Sequence, residues 1–406
     1  MRRSFWLLLA AVFWLAACAS PAAAPATQAP AQPAEQRPAA QPTEAPAAPA
    51  QPAPAATLAP LPTGVPPKLN PPRSGGVLNP PTNVPTPGNN PAGIEVKRDF
   101  WREDVSTNRP PARYDHAFAF EFEVYTMITF GGRAQSTLGD TWITEGAGWS
   151  QLSPKVTPSP RFGAAAVYES TYPLIFGGQS DNQFFSDVWK YKSPPNAWEQ
   201  IATTGNAPAP RVGASIGVET NPLREPYHNL LFVTHGYSDR AYFNDTFVLD
   251  LTTNTWEEIS PVNRPSKRKG QAGAFDARQG KLFLFGGQDV AGNLMGDLWE
   301  LDPAKRIWTK IPPSRVQPSP RSGASLTYDF NRRLWLFGGE TNNGMTNELW
   351  MYDIASKQWS LIDASNKPSA RSRHKSACSY DGESCYIFGG QNANGNALND
   401  LWIYTP

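Results

Sequence analysis

The sequence predicts an all-β fold, a six-bladed β-propeller closed by its N-terminal strand and preceded by a disordered stalk. A set of glycines, acids, tryptophans and arginines recurs about every 50 residues from Glu95 onward, a period typical of propeller blades or solenoid repeats. The apolar runs are short and bounded by Gly, Pro, Asn and Asp, which indicates strands. The last repeat is incomplete, whereas an extra tryptophan segment precedes the first. A closed ring accounts for both facts.

Residues 1–17 have the pattern of an export signal. Two arginines are followed by an apolar run over residues 5–15, which is too short to span a bilayer comfortably. The segment ends in Leu-Ala-Ala-Cys at residues 15–18, which resembles the lipobox of bacterial lipoproteins. That resemblance implies cleavage before Cys18, a lipid on its thiol, and a membrane-anchored chain on the extracytoplasmic side, at the cell surface or in the periplasm. An ordinary signal peptide with a chance cysteine, or a twin-arginine signal, is the alternative.

The next segment, residues 18–94, is rich in proline and alanine, and 21 of the 42 prolines lie between Ala19 and Ile94. It has hardly any large apolar side chains, so it cannot bury enough surface to offset its conformational entropy. We expect it to be disordered, with a bias toward polyproline II. It serves either as a stalk that holds the folded domain away from the membrane or as a linker of no particular length. Composition does not separate these two roles.

Residues 95–406 contain six units that share four marks. The first is an apolar run that ends in Gly-Gly, except in the third unit, where His235-Gly236 replaces it. The second is an acid two residues before an aromatic side chain: Asp140/Trp142, Asp187/Trp189, Asp245/Phe247, Asp297/Trp299, Glu348/Trp350 and Asp400/Trp402. The third is a tryptophan that stands 12 or 13 residues before the fourth mark, an arginine: Trp149, Trp198, Trp256, Trp308 and Trp359. We expect the acids to accept hydrogen bonds from turn amides and the tryptophans to fill the space between blades.

The two ends of this region complete each other. The sixth unit ends at Pro406 without the second tryptophan, and Trp101 stands 12 residues before Arg113 without a unit of its own. The strand that contains Trp101 is therefore predicted to form the outer strand of the last blade and to close the ring. An open solenoid would leave both terminal edges unpaired.

The combination of these marks resembles the Kelch-repeat family, in the galactose-oxidase-like group of propellers. Three segments of the form Pro-x-Pro-Arg carry the resemblance best: Pro158–Gly163, Pro208–Gly213 and Pro318–Gly323. The units depart from the pattern at His235 and within residues 268–270 and 371–374. The resemblance implies a module that binds a protein or a glycan on one propeller face. The alternative is an extracytoplasmic carbohydrate-active enzyme of the same group, a sugar mutarotase or an oxidase.

Charge and motifs narrow the function classes further. The net charge is +1, which argues against a domain that binds nucleic acid by charge neutralisation. The chain has no nucleotide-binding loop, metalloprotease helix or nucleophile elbow, so we predict no catalytic residue, metal or cofactor. His116 and His374 both stand three residues after a repeat arginine, but two histidines are too few ligands for a metal site.

The repeat arginines are the candidate ligand-binding residues. Each stands at the start of a first strand, on the propeller face that also carries the Gly-Gly ends, so the six are expected to surround the mouth of the central channel. Guanidinium groups suit carboxylates, and the resemblance adds that Kelch domains use such arginines for acidic peptides. We therefore predict an acidic ligand, an anionic glycan or an Asp/Glu-rich peptide. In the alternative, each arginine pairs with an acid or carbonyl of its own blade. The six are Arg113, Arg161, Arg211, Arg268, Arg321 and Arg371.

A disulfide is predicted in the last unit. Asp381-Gly382 is a strong signal for a two-residue hairpin turn, and in that register Cys378 faces Cys385. Exported chains occupy an oxidising compartment, and lipidation of Cys18 leaves these two thiols as the remaining pair.

Overall fold

The computed structural model describes residues 99–121, 126–145, 148–169, 171–221 and 228–406. Within these ranges the regular elements are all β-strands, so the all-β prediction is confirmed there. No helix in the described ranges has the length and apolar character needed to cross a membrane. The predicted signal segment 1–17, Cys18 and the predicted stalk 18–94 lie outside the described residues.

Six sheets of the described chain contain four or five strands, and we number them in chain order. The first strand, β1 (Phe100–Glu103), belongs to the last of them. Sheet 1 contains β2 (Ala117–Glu121), β3 (Thr126–Arg133), β4 (Thr137–Glu145) and β5 (Gly148–Leu152). Sheet 2 contains β6 (Ala165–Glu169), β7 (Tyr172–Gln179), β8 (Phe184–Lys192) and β9 (Ala197–Gln200). Sheet 3 contains β10 (Thr204–Gly205), β11 (Ser215–Asn221), β12 (His228–Thr234), β13 (Thr246–Asp250) and β14 (Thr255–Ile259).

The remaining sheets follow the same order. Sheet 4 contains β15 (Ala272–Asp276), β16 (Lys281–Gln288), β17 (Leu294–Asp302) and β18 (Ile307–Lys310). Sheet 5 contains β20 (Ser325–Tyr328), β21 (Arg333–Phe337), β24 (Leu349–Asp353) and β25 (Gln358–Ile362), beside a small sheet of β19 (Arg321–Ser322), β22 (Glu340–Thr341) and β23 (Gly344–Met345). Sheet 6 contains β27 (Lys375–Cys378), β28 (Cys385–Phe388), β30 (Leu401–Thr405) and β1, beside the pair β26 (Arg371–Ser372) and β29 (Gln391–Asn392).

The first and last described strands lie in one sheet. Strand β1 pairs antiparallel with β30, and Trp101 lies opposite Tyr404. Trp101 therefore occupies the outer strand of sheet 6, the place that the second tryptophan holds in the other sheets. In the same sheet, β27 and β28 place Cys378 opposite Cys385, and the two residues form a disulfide.

Hydrogen bonds join each unit to the next along its inner side, and five of these six links are between backbone groups. They connect the residues that stand two positions after the repeat arginines, and we call them the inner cycle. The amides and carbonyls are Asp115 N to Arg373 O (3.0 Å), Gly163 N to Asp115 O (2.6 Å), Gly213 N to Gly163 O (2.9 Å), Gly323 N to Gly270 O (2.8 Å) and Arg373 N to Gly323 O (2.7 Å). Between the third and fourth units, the Gln271 side-chain amide donates to Gly213 O at 2.8 Å. The links therefore run from sheet to sheet and return to the first.

The outer tryptophans fill the space between neighbouring sheets. Trp198 of sheet 2 packs against Phe130 of sheet 1 with ring centroids 5.3 Å apart. The other sheets repeat this contact through Trp256 and Phe176, Trp359 and Phe285, Trp101 and Phe337, and Trp149 and Phe388. In sheet 3 the phenylalanine before the glycines is replaced by Thr234, and the His235 ring packs against Trp308 instead, at 5.9 Å. His235, which departs from the Gly-Gly pattern, thus supplies the aromatic ring that this sheet lacks at Thr234.

Candidate functional site

The residues around the inner cycle form the face on which we place the candidate site. In every unit the residue after the repeat arginine pairs with the residue after Gly-Gly, or after His235-Gly236 in the third unit. The pairs are Tyr114–Arg133, Phe162–Gln179, Val212–Tyr237, Lys269–Gln288, Ser322–Glu340 and Ser372–Gln391. We call these twelve residues, together with the inner-cycle residues Asp115 and Arg373, the mouth face.

The Gly-Gly pairs bring neighbouring units close enough to form this face. Gly131 and Gly132 have φ values of +62° and +101°, which side chains rarely adopt. A Cβ at Gly131 would lie 2.4 Å from the Arg161 carbonyl oxygen, and Gly132 N donates to that same oxygen at 2.9 Å. Each Gly-Gly therefore lets the arginine-bearing backbone of the next unit approach.

The six repeat arginines lie beneath the mouth face and are buried, with at most 1% of each exposed. Arg113 shows the arrangement. Its Nη1 and Nη2 donate to the two carboxylate oxygens of Asp140 at 2.8 Å each, its Nη1 also donates to Gly131 O, and its Nε donates to Pro111 O. The Trp142 indole donates to the same carboxylate at 2.7 Å. The acid thus accepts from an arginine and an indole, which corrects the expectation that it serves turn amides.

Four of the other arginines also donate to both carboxylate oxygens of their acids, Asp187, Asp245, Asp297 and Asp400. Arg321 donates to one oxygen of Glu348, at 2.6 Å, and Asp245 has Phe247 in place of the tryptophan. Burial acts to raise the pKa of the Asp140, Asp297 and Asp400 carboxyls, but hydrogen bonds and charge from the arginines lower it overall, so these acids stay ionised. The arginines therefore have the partners that the structural alternative requires. The prediction that they face a ligand is corrected, because their donors are directed at their own sheets.

Three other cations are accessible on the mouth face, each close to an aromatic ring. The Arg133 guanidinium lies 5.1 Å from the Phe162 centroid, and that of Arg373 lies 5.7 Å from the Tyr114 centroid. The Lys269 Nζ lies 5.7 Å from Tyr237 and 5.5 Å from Tyr242. Sequence reasoning missed these three because they stand at positions that vary between units. The sequence did contain a sign of two of them, since Lys269 and Arg373 both interrupt the Kelch pattern.

The charge of the mouth face is predominantly positive. Arg373 lies 3.8 Å from Asp115, while Arg133 and Lys269 have no ion pair within the described residues. Burial raises the pKa of Asp115, although the positive charges of Arg373, Lys375 and Arg133 act to lower it. Burial likewise lowers the pKa of Lys375, although the negative charge of Asp115 acts to raise it. Glu340 is the other acid of this set. The cations Arg133, Lys269, Arg373 and Lys375 therefore outnumber these two acids, and an excess of positive charge attracts carboxylate or sulfate groups.

The histidines His116 and His374 lie beneath the same face. His116 is fully buried, and its ring packs 5.1 Å from Phe388, while His374 Nε2 lies 2.8 Å from Ser325 Oγ. No group of three or more potential metal ligands occurs within the described ranges. Burial, aided by Arg113, lowers the pKa of His116 well below 6.5. This histidine is therefore neutral in the folded protein.

The buried His116 makes folding dependent on pH. The pKa of His116 is lower in the folded protein than in the unfolded chain, where it is near 6.5. Its contribution to the free energy of unfolding is therefore present above pH 6.5 and is lost as the pH falls below that value. We expect the free energy of unfolding to fall more steeply between pH 6 and pH 5 in the wild type than in His116→Phe, by about 1.4 kcal/mol per pH unit. Urea unfolding at a series of pH values measures both slopes. Equal slopes in the two proteins would contradict the conclusion that His116 is neutral in the folded protein.

Comparison with known proteins gives one family and several relatives. Residues 92–264 and 226–406 match the model of the KLHDC2/KLHL20/DRC7 Kelch-repeats domain. The chain is 29% identical over 303 residues to "Leucine-zipper-like transcriptional regulator 1 homolog" of Drosophila melanogaster, covering 68% of this chain and 29% of the fly protein. It is 28% identical over 336 residues to "Acyl-CoA-binding domain-containing protein 4" of Arabidopsis thaliana (77% and 48%), and 26% over 334 residues to "Kelch repeat-containing protein 2" of Saccharomyces cerevisiae (76% and 37%). The match spans less than half of each of these relatives.

Proposed function

The chain belongs to the Kelch-repeat domain family of β-propellers, and from this premise we propose that it is a membrane-anchored binding module that holds an acidic protein segment on its mouth face. Kelch domains generally bind proteins, but the fold by itself does not name the ligand. The ligand chemistry must therefore be argued from the residues at the site.

The scaffold that we propose is a six-bladed propeller closed by β1. Six sheets of four or five strands, the pairing of β1 with β30 and the return of the inner cycle to the first unit all support it. In this arrangement the mouth face is continuous, since each unit contributes one of its six pairs.

One observation carries the proposed ligand class. The mouth face holds Arg133, Lys269 and Arg373 beside aromatic rings, and none of them is in a bidentate pair with an acid of the described chain. Cations in this state retain donors for an incoming carboxylate, and the neighbouring rings offer apolar contact to the rest of a peptide. The six buried arginines take no part in this binding, because their donors are already used.

A charge-removal pair tests this proposal. The probe is a fluorescein-labelled oligoglutamate peptide titrated by anisotropy against the full chain. We expect Arg133→Ala/Arg373→Ala to weaken binding about tenfold, at about 0.7 kcal/mol for each exposed charge. The matched control is Lys305→Ala/Arg306→Ala, which removes two exposed cations from the turn between β17 and β18, on the opposite propeller face.

The control should bind the peptide like the wild type. Equal binding by both double variants would overturn the mouth-face proposal. If the wild type ignores oligoglutamate but binds dextran sulfate, and the Arg133→Ala/Arg373→Ala variant loses that binding, the ligand is an anionic glycan instead.

The membrane anchor is a separate part of the proposal. The lipobox-like segment at residues 15–18 and the proline-rich segment that follows support lipidation of Cys18 and display of the propeller outside the membrane. Labelled fatty acid should be incorporated into the wild-type chain and not into Cys18→Ser.

A further inference from the structure

The outer strands of the propeller present backbone edges, and most of these edges are covered. The segment that leaves one sheet for the next runs beside the outer strand of the following sheet. It accepts a hydrogen bond from the backbone N–H of the outer tryptophan: Trp149 to Asn108 O (3.4 Å), Trp198 to Val156 O (3.0 Å), Trp308 to Val262 O (3.0 Å) and Trp101 to Ser365 O (3.1 Å). In sheet 3 the equivalent segment is β10, which pairs parallel with β14 and sets Gly205 opposite Trp256. Covered edges do not recruit other strands.

Sheet 5 is the exception among the described sheets. Its outer strand β25 places Trp359 opposite Tyr352, the same register that places Trp198 opposite Tyr191 in sheet 2. The N–H of Trp359 therefore points away from the sheet, yet it has no hydrogen-bond partner within the described residues. Beside it, Leu361 is 51% exposed. The edge of β25 is open.

A pocket of about 400 Å³ lies next to this open edge. Its walls are β17 of sheet 4, the segment 311–320 that crosses to sheet 5, and Trp359. The lining is mostly apolar, with Met295, Leu298, Ile311 and Pro313 among its members. If a further strand paired with β25, one of its side chains could enter this pocket.

The surroundings of the pocket are cationic. Lys310 lines it, Arg315 lies in the crossing segment, and Lys357 directly precedes β25; none of the three has an ion pair within the described chain. The nearby acids are paired, since Asp297 binds Arg268 and Asp363 binds Lys367. Acidic residues in a partner would therefore meet uncompensated positive charge.

We propose that β25 is a docking edge at which an extended segment of a partner protein adds as a parallel strand. It places an apolar side chain in the pocket and acidic residues beside Lys310 and Arg315. The parallel direction follows from the other sheets, in which the covering segment pairs parallel with the outer strand. Such strand addition is a general mode of peptide recognition. This surface is independent of the mouth face, so either can fail without the other.

Hydrogen exchange at single residues tests the open edge in the full chain. Without any peptide, the Trp359 amide should exchange about tenfold faster than the amides of Trp198 and Trp308, which are bonded to their covering segments. Equal protection of the three amides would show that the edge is already covered and would overturn the proposal.

The second arm adds the peptide acetyl-Asp-Val-Leu-Val-Asp-amide. Saturating peptide should slow Trp359 exchange about tenfold and leave Trp198 unchanged, whereas a version with N-methylated backbone should have no effect. Arg315→Glu should weaken the effect, and the matched control is Lys155→Glu at the equivalent position of the covered edge of sheet 2.

No slowing with the peptide, or equal effects of the two charge reversals, would reject the proposed partner. Protection of Trp359 that rises with protein concentration alone would assign the edge to a second copy of this chain and would also overturn the proposal.

Discussion

Replacing Arg211 with alanine is expected to lower the free energy of unfolding by about 3–5 kcal/mol. Arg211 is fully buried, and its guanidinium donates to both carboxylate oxygens of Asp245 and to the carbonyl oxygen of His235. It also lies 4.0 Å from the Phe243 ring centroid. Removal leaves the Asp245 carboxylate, which is 23% exposed, without its charged partner. Urea unfolding measures the loss.

The matched control is Arg373→Ala, an arginine on the accessible side of the same face. It should change stability by no more than about 0.5 kcal/mol, since it is half exposed and its nearest acid lies 3.8 Å away. The two variants should also separate in binding: Arg211→Ala retains oligoglutamate binding at temperatures where it is folded, and Arg373→Ala loses part of it. A stable Arg211→Ala protein that no longer binds the peptide would restore the repeat arginines as ligand residues.

Replacing Trp308 with alanine is expected to cost about 3–5 kcal/mol, as for other large buried aromatic side chains. Trp308 has no exposed surface and packs with Leu282, Leu284 and Leu301. It also closes the gap to sheet 3 through its contact with the His235 ring. The cavity would open between two sheets, which limits how far the surroundings can collapse.

The control variant Trp308→Phe separates the loss of packing volume from the loss of the indole N–H. The Trp308 indole N–H has no hydrogen-bond partner in the described part of the chain, so phenylalanine gives up volume without leaving a new unpaired group. Its cost should be less than half that of Trp308→Ala, as read from the thermal or urea midpoint. Equal costs would show that the indole has a partner and that packing is not the main contribution.

The sequence determined the repeat and, with it, the class of fold. Gly-Gly, the acid two residues before an aromatic residue, the outer tryptophan and the arginine recur at fixed spacing, so strand positions followed from local pattern alone. The departure at His235 was visible in the sequence as well. The reason for this departure was not visible, because it lies in a contact with Trp308, which is 74 positions after Thr234 in the chain. The His235 ring packs against Trp308 in place of the phenylalanine that Thr234 replaces.

The role of the arginines was decided by tertiary structure. Their type and spacing fit both a ligand ring and a set of internal ion pairs, because a guanidinium group binds an exposed carboxylate and a buried one with the same geometry. Only packing shows that Arg113 and Asp140 meet beneath the surface. The accessible cations Arg133, Lys269 and Arg373 escaped the repeat analysis, since a ligand face is built from the positions in which the units differ.

The open edge of sheet 5 also depended on tertiary structure. The segments from Trp198 to Arg211 and from Trp308 to Arg321 span the same 13 positions. The first covers the edge of sheet 3 through β10, and the second leaves the backbone N–H of Trp359 without a hydrogen-bond partner among the described residues. Spacing fixes how far a segment can reach, whereas a backbone hydrogen bond forms only where the path of that segment brings a carbonyl to within about 3 Å of the amide. That path is set by how sheets 4 and 5 pack against each other, which the spacing of the repeat residues does not encode.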